Sequence, residues 1–249
     1  MGNKVIVKVG PKLGIYEIDT DEQLSASLGQ EREMEGGRKF VLCRNSIAAA
    51  LAPGLLVQAK ADTDYSEGLV VAVAGAVGDT TLSITVTSGH EALDANELKD
   101  GYFCASDTAG ELGHGRKIKS NTAALTGAIT ILTFYDALTD VITISSLGAW
   151  IFPVYTDVII DAGSAKVIGV PVCDVTISVA ATGYYYFWAQ TTGPCPVISG
   201  GTLVRGDDVM SNGDGTVIAT TGNTPETVGK AMQTVTASGD AGWVWLDIT

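Results

Sequence analysis

Lys4-Val5-Ile6-Val7-Lys8-Val9 alternates in period two, the pattern of a half-buried strand. A second short strand, 13–18, follows the Gly10-Pro11 turn signal. From Asp19 to Gly37 the chain turns polar, and only Leu24, Leu28 and Met34 are clearly apolar. That stretch reads as a linker with at most one helical turn, so residues 1–36 are expected to form an extended N-terminal arm. The body begins near Arg38. Phe40–Cys43, Leu55–Ala59, Gly68–Val77 and Thr81–Val86 are β-type runs, parted by Pro53-Gly54, Asp62-Thr63-Asp64 and Gly78-Asp79. Similar runs continue at close spacing as far as Trp243–Ile248. Two short helices are expected: Ser46–Leu51, which is Ala-rich and stops before Pro53, and Glu91–Leu98, which ends at Asp100-Gly101.

Short strands with Gly-rich turns predict an all-β fold, a β-sandwich or β-barrel body over 37–249. One domain or two fit this length, and in the two-lobe version 91–180 forms part of the second lobe. Phe40–Asn45 and Phe187–Thr192 echo one another at an offset of 147, each followed by a turn and another strand. In Tyr184-Tyr185-Tyr186-Phe187-Trp188, alternation puts Tyr184, Tyr186 and Trp188 on one face and Tyr185 and Phe187 on the other. Both faces are apolar. Such a strand is buried between two layers, offers an aromatic face to a partner, or stacks on sugars.

Charge narrows the partners. Only 17% of residues are charged and the net charge is −13. Nucleic acid is not expected as a direct partner, because a binding face needs clustered Lys and Arg. Residues 1–60 hold eight basic and seven acidic residues, so that quarter is electrostatically distinct from the acidic remainder. With few charges, much of the surface must be Thr, Ser, Asn and Gly, or be covered by other subunits. The start is too short and broken in its apolar run for a signal peptide, and no run is long enough for a membrane span. A membrane partner is therefore not expected.

Candidate chemistry is sparse. Cys43, Cys104, Cys173 and Cys195 are widely spaced with no Cys-x-x-Cys, and read as reduced core thiols. The two histidines, His90 and His114, form no ligand pattern for zinc. No Gly-x-Ser-x-Gly elbow, phosphate-cradling loop or dinucleotide fingerprint is present. Asp62–Gly68 and Gly206-Asp207-Asp208 could present carboxylates to calcium, but read better as solvated turns. Asn212-Gly213-Asp214-Gly215 is a hairpin turn. No catalytic residue, metal or cofactor is assigned, and the chain is not expected to be an enzyme.

Two segments carry a resemblance. Leu98-Lys99-Asp100-Gly101-Tyr102 runs through Ser106–Gly110 into Arg116-Lys117-Ile118-Lys119-Ser120-Asn121. Gly183–Pro194 leads through Gly206-Asp207-Asp208-Val209, Asn212–Gly215 and Thr227–Ala231 to Trp243–Ile248. These resemble tailed-bacteriophage virion proteins of the small head-decoration or cement type, over about half of the chain. The resemblance implies a non-catalytic homo-oligomer, often a trimer, made in the host cytoplasm and bound to the major capsid protein on the capsid exterior. The polar stretch 19–37 departs from that pattern.

The expected interaction residues are Val5, Val7, Val9 and Ile15, through strand addition by the arm, and Tyr184, Tyr186 and Trp188. If the arm is the clamp, deleting residues 2–36 abolishes capsid binding and leaves the body folded. The alternative is a phage tail, fibre or adhesin-type module that binds a host-surface glycan through Tyr184–Trp188. A glycan-active enzyme ranks third, and a major capsid protein lower, for want of a long helix.

Overall fold

A strand with apolar side chains at consecutive positions has to be covered on both faces, and two such strands organise much of this chain. A computed structural model describes residues 14–20, 27–60, 67–87, 92–106, 112–179, 183–220 and 227–248. Among them there is no helix, and the ordered elements are all strands. The first three are β1 (Glu31–Glu33), β2 (Lys39–Arg44) and β3 (Val57–Gln58). Six follow: β4 (Leu69–Val73), β5 (Thr81–Thr85), β6 (Tyr102–Ala105), β7 (Arg116–Asn121), β8 (Ile129–Phe134) and β9 (Leu147–Ile151). The rest are β10 (Ile159–Ile160), β11 (Val167–Pro171), β12 (Tyr186–Ile198), β13 (Asp208–Ser211), β14 (Val217–Ala219), β15 (Gly229–Ala231) and β16 (Ala241–Asp247). The chain separates into two compact units, a sheet unit (1–61 with 154–249) and a barrel unit (62–153).

In the sheet unit the strand order is β10-β3-β11-β12-β16-β15-β13-β14, with β2 also on β12 and β1 on β2. Every named pairing is antiparallel. The hub is β12, thirteen residues long. Its first half pairs with β2, Phe187 opposite Cys43, so the two echoing segments are sheet neighbours. Its second half pairs with β16, Pro194 opposite Trp245 and Pro196 opposite Trp243.

Alternation along β2 and β12 then builds two cores. Val41, Cys43, Phe187 and Ala189 pack with Leu51, Val57, Val158, Ile168 and Val175. Phe40, Leu42, Tyr186 and Trp188 face the other way and pack with Ile15, and with Leu28 at the margin. The segment expected to be a free arm supplies this second cover. Asp19 exchanges backbone hydrogen bonds with Tyr186, and the Gly29 N–H donates to the Leu42 carbonyl. Residues 14–20 and 27–36 are thus part of the sheet unit, because an apolar face of β2 and β12 needs them. Deleting 2–36 would strip that core rather than remove an appendage. The shortness of β1 and its sequence Glu-Arg-Glu suit an exposed sheet edge.

The Asn212–Gly215 turn joins β13 to β14, with Gly213 and Gly215 both at positive φ. Asp214 closes it by accepting from the Thr216 hydroxyl and the Thr216 N–H. These bonds, the hydroxyl's first, hold the Asp214 carboxyl below its ordinary range. A carboxyl depressed in the fold stabilises above its unfolded value of about 4, and that contribution disappears as pH falls through the folded value. Thr216→Val is expected to raise the Asp214 pKa, read by NMR titration of its carboxyl carbon. The accompanying loss of stability should be small, because Asp214 is exposed.

The barrel unit closes in the order β4-β5-β8-β7-β6-β9 and back to β4. Alternation, broken by register shifts after Val71 and after Ile118, sends Leu69, Val71, Leu82, Ile84, Phe103, Ile118, Leu132, Phe134 and Trp150 inward. The Phe103 and Phe134 rings lie 5.8 Å apart. Neither expected helix forms. Ser46–Leu51 is bend and extended chain, with Leu51 bridged to Val175. In the second segment Leu93 bridges to Ala124, and a turn follows in which Asn96 and Asp100 take positive φ. A left-handed residue ends any right-handed helix, so this run coils instead.

Candidate interaction surfaces

The residues singled out from the sequence scatter on inspection. Val5, Val7 and Val9 lie outside the described residues. Ile15, Tyr186 and Trp188 are core, Trp188 wholly buried. They are therefore not an exposed docking face. Tyr184 is half-buried, with the Arg44 guanidinium 4.2 Å over its ring. Arg44 also holds Asp157 through paired contacts of 3.1 Å. Of the three readings of the aromatic run, burial between two layers is the one the fold adopts at Tyr186, Phe187 and Trp188.

Several of the titratable groups singled out from the sequence are tied up in local structure. Asp207 caps its own turn by accepting from the Val204 N–H, and Asp208 pairs with Lys230 at 2.7 Å. His114 faces the Thr139 hydroxyl at 3.3 Å, while His90 and Asp62–Ser66 lie outside the described residues. Among the described residues, no three His, Cys, Asp or Glu side chains gather as a metal site would require. The four cysteines are free thiols. Burial pushes the Cys43 thiol far up and that of Cys195 to about 12, so neither is a thiolate near neutrality.

What stands out is the outside of the barrel. Strands β4 (LVVAV), β5 (TLSIT), β6 (YFCA), β8 (ITILTF) and β9 (LGAWI) contain no Asp, Glu, Lys, Arg or His. The barrel's strand charges all lie on β7, as Arg116, Lys117 and Lys119. Closure of the ring sets β7 diametrically opposite β4. There Lys117 pairs with Asp100 at 3.0 Å, and that hydrogen bond raises its pKa.

The outward side chains of the other five strands form a continuous wall. Register joins Tyr102 to Ile151, Cys104 to Ala149, and Leu147 to Val70. It continues from Val70 through Thr85 to Ile129, and from Val73 through Ser83 to Ile131. Val73 is 58%, Ile129 50% and Ile131 43% exposed. Five strands of about five residues give roughly 400 Å² of unrolled wall. That is comparable to the largest apolar patch on a typical monomer, about 300–600 Å², which is often functional. No protein-family model, curated protein or solved structure matches this chain. The strands run four to six residues, about half of what a bilayer-spanning strand needs. Closure also leaves the barrel no free edge for strand addition. Contact with this wall is therefore side chain to side chain.

A second exposed surface lies on β16 of the sheet unit. Trp243 and Trp245 point outward, 49% and 44% exposed, while Val244 and Leu246 point into the core. Pro196 and Pro194 flank them across β12, and Met232 and the Lys230–Asp208 ion pair lie on the other side. Sequence reasoning passed over this pair, although Trp-Val-Trp-Leu carries the signal. An apolar residue at every position of a late strand leaves one face to be explained.

Proposed function

We propose that this chain is a structural subunit of a tailed-bacteriophage virion, a homo-oligomeric decoration or cement protein on the outside of the capsid. The observation that carries the reading is the charge-free wall of the barrel. A soluble protein with a net charge of −13 has charges enough to cover its barrel, yet five adjacent strands have none. Such a wall is stable in water when other subunits cover it, and obligate interfaces are of this apolar kind. The resemblance of Leu98–Asn121 and Gly183–Ile248 to decoration proteins points the same way. In this role the chain is non-catalytic and its partner is the major capsid protein.

The test is co-sedimentation of the purified chain with capsids of its own phage, assembled without it. Saturable binding at a fixed ratio to the capsid protein is expected. Failure to sediment with capsids at large excess would reject the reading.

Trp243 and Trp245 favour a second reading, an adhesin-type module binding a host-surface glycan. Two outward indoles on a strand held on both sides form a rigid platform. On that reading, Trp243→Ala with Trp245→Ala abolishes retention on host polysaccharide; retention that survives the pair of substitutions excludes this face.

A further inference from the structure

We infer that the charge-free wall of the barrel seats a second copy of this chain. The inference deepens the virion reading, since it names the partner of the same wall.

Charge is the first argument. The barrel unit holds twelve acidic residues and four basic ones, so two copies repel wherever their charged parts come within a Debye length, about 8–10 Å. Identical molecules also bring each residue near its own twin about a symmetry axis. There a carboxylate would meet a carboxylate. The wall from β9 through β4 and β5 to β8 removes that penalty, because its outward residues include no charge.

The second argument is the kind of polar group the wall retains. Thr81, Ser83 and Thr85 on β5, and Thr133 on β8, are hydroxyls. A hydroxyl donates and accepts at once, so it can bond to its own twin. A partner recognised by its charge would leave these groups without a role.

Shape is the third. On β5 Ser83 is smaller than its cross-strand neighbours, Val73 on one side and Ile131 on the other, while the Val-sized Thr85 lies between Val70 and Ile129. Ser83 therefore opens a shallow trough between two apolar ridges. The Ile129–Ile131 ridge of one copy matches the β5 trough of another.

The experiment uses the purified full chain, with mass read by light scattering and sedimentation over a wide concentration range. The expected wild-type mass is a fixed multiple of 25.7 kDa. Ile131→Lys on the ridge and Ser83→Glu in the trough each place an unpaired charge in the contact. Each is expected to raise the dissociation constant by about 100-fold or more, with the Trp150 indole N–H resonance unchanged as a check on the barrel. Trp243→Ala is expected to leave the oligomer intact. A wild-type monomer at every concentration, or an oligomer that neither substitution weakens, overturns the inference. Capsid binding is scored separately. A monomer that still saturates capsids defeats this inference and spares the virion reading; an oligomer that ignores capsids does the reverse.

Discussion

Trp188→Ala is expected to destabilise the sheet unit by about 3–5 kcal/mol, the usual cost of emptying a buried aromatic site. Trp188 is wholly buried on the face of β12 that Ile15, Phe40 and Leu42 share. Those neighbours come from two separate segments, 14–20 and β2, each tied to the sheet by backbone hydrogen bonds, so the cavity cannot readily collapse. Trp188→Phe should cost much less. The indole N–H has no hydrogen-bond partner, so the smaller ring loses area but no bond. Trp243→Ala, on the exposed face of β16, should change stability by well under 1 kcal/mol. Urea unfolding of the three variants checks the order. A Trp188→Ala protein as stable as wild type would mean that the second face of β12 is not packed, and would return Tyr186 and Trp188 to the list of surface residues.

Gly101→Ala is expected to break the barrel, at a cost of about 3 kcal/mol or more. A methyl group at Gly101 would strike the Ile151 carbonyl oxygen, with the Leu98 carbonyl at 3.0 Å and the Pro153 nitrogen at 3.3 Å. All three are backbone atoms, so no side chain can swing away. The affected chain joins the Asn96–Asp100 turn to β6, where Tyr102 pairs with Ile151 and starts the β6–β9 ladder. Thermal unfolding followed at the Trp150 indole N–H by NMR should show the barrel transition lowered or lost. Near-ultraviolet circular dichroism should retain the signal of the sheet unit's tryptophans, Trp188, Trp243 and Trp245. A wild-type transition at Trp150 would show that β6 and β9 do not approach so closely.

The all-β character could be read because period-two patterns and Gly-rich turns are local signals. The Asn212–Gly215 hairpin is wholly local, and it forms as its residues dictate. Other elements depend on distant chain. The residues of β1, Glu-Arg-Glu, carry no apolar pattern, and become a strand only by pairing with β2. Strand β9 is interrupted by Gly148, whose bare α-carbon makes room for the Phe103 ring. Strand β12 continues through Gly193-Pro194, which reads as a turn. Proline is tolerated there because that half of β12 pairs with β16 alone. The supposed arm was misjudged for a similar reason. Leu28 looks isolated among polar residues, and Ile15 reads as part of a strand offered to a partner, until the two-sided strand they cover is known. The candidate wall was legible only as a shortage of charge. Which strands stand side by side is fixed by barrel closure, and no local pattern encodes it.

The insertion of the barrel between β3 and β10 also sets an order of events during synthesis. Phe187 follows Phe40 by 147 residues. At about 5–20 residues per second, β2 leaves the ribosome roughly 7–30 s before its partner strand exists. In that interval all six barrel strands emerge, and even the closing pair, Leu69 with Gly148, lies nearer in sequence than Phe40 and Phe187. The nascent chain therefore holds the whole barrel sequence while β2 has its hairpin partner β1 and still lacks β12. Until β12 emerges, the Phe-Val-Leu-Cys face of β2 is the kind of transiently exposed hydrophobic strand that makes nascent chains aggregation-prone.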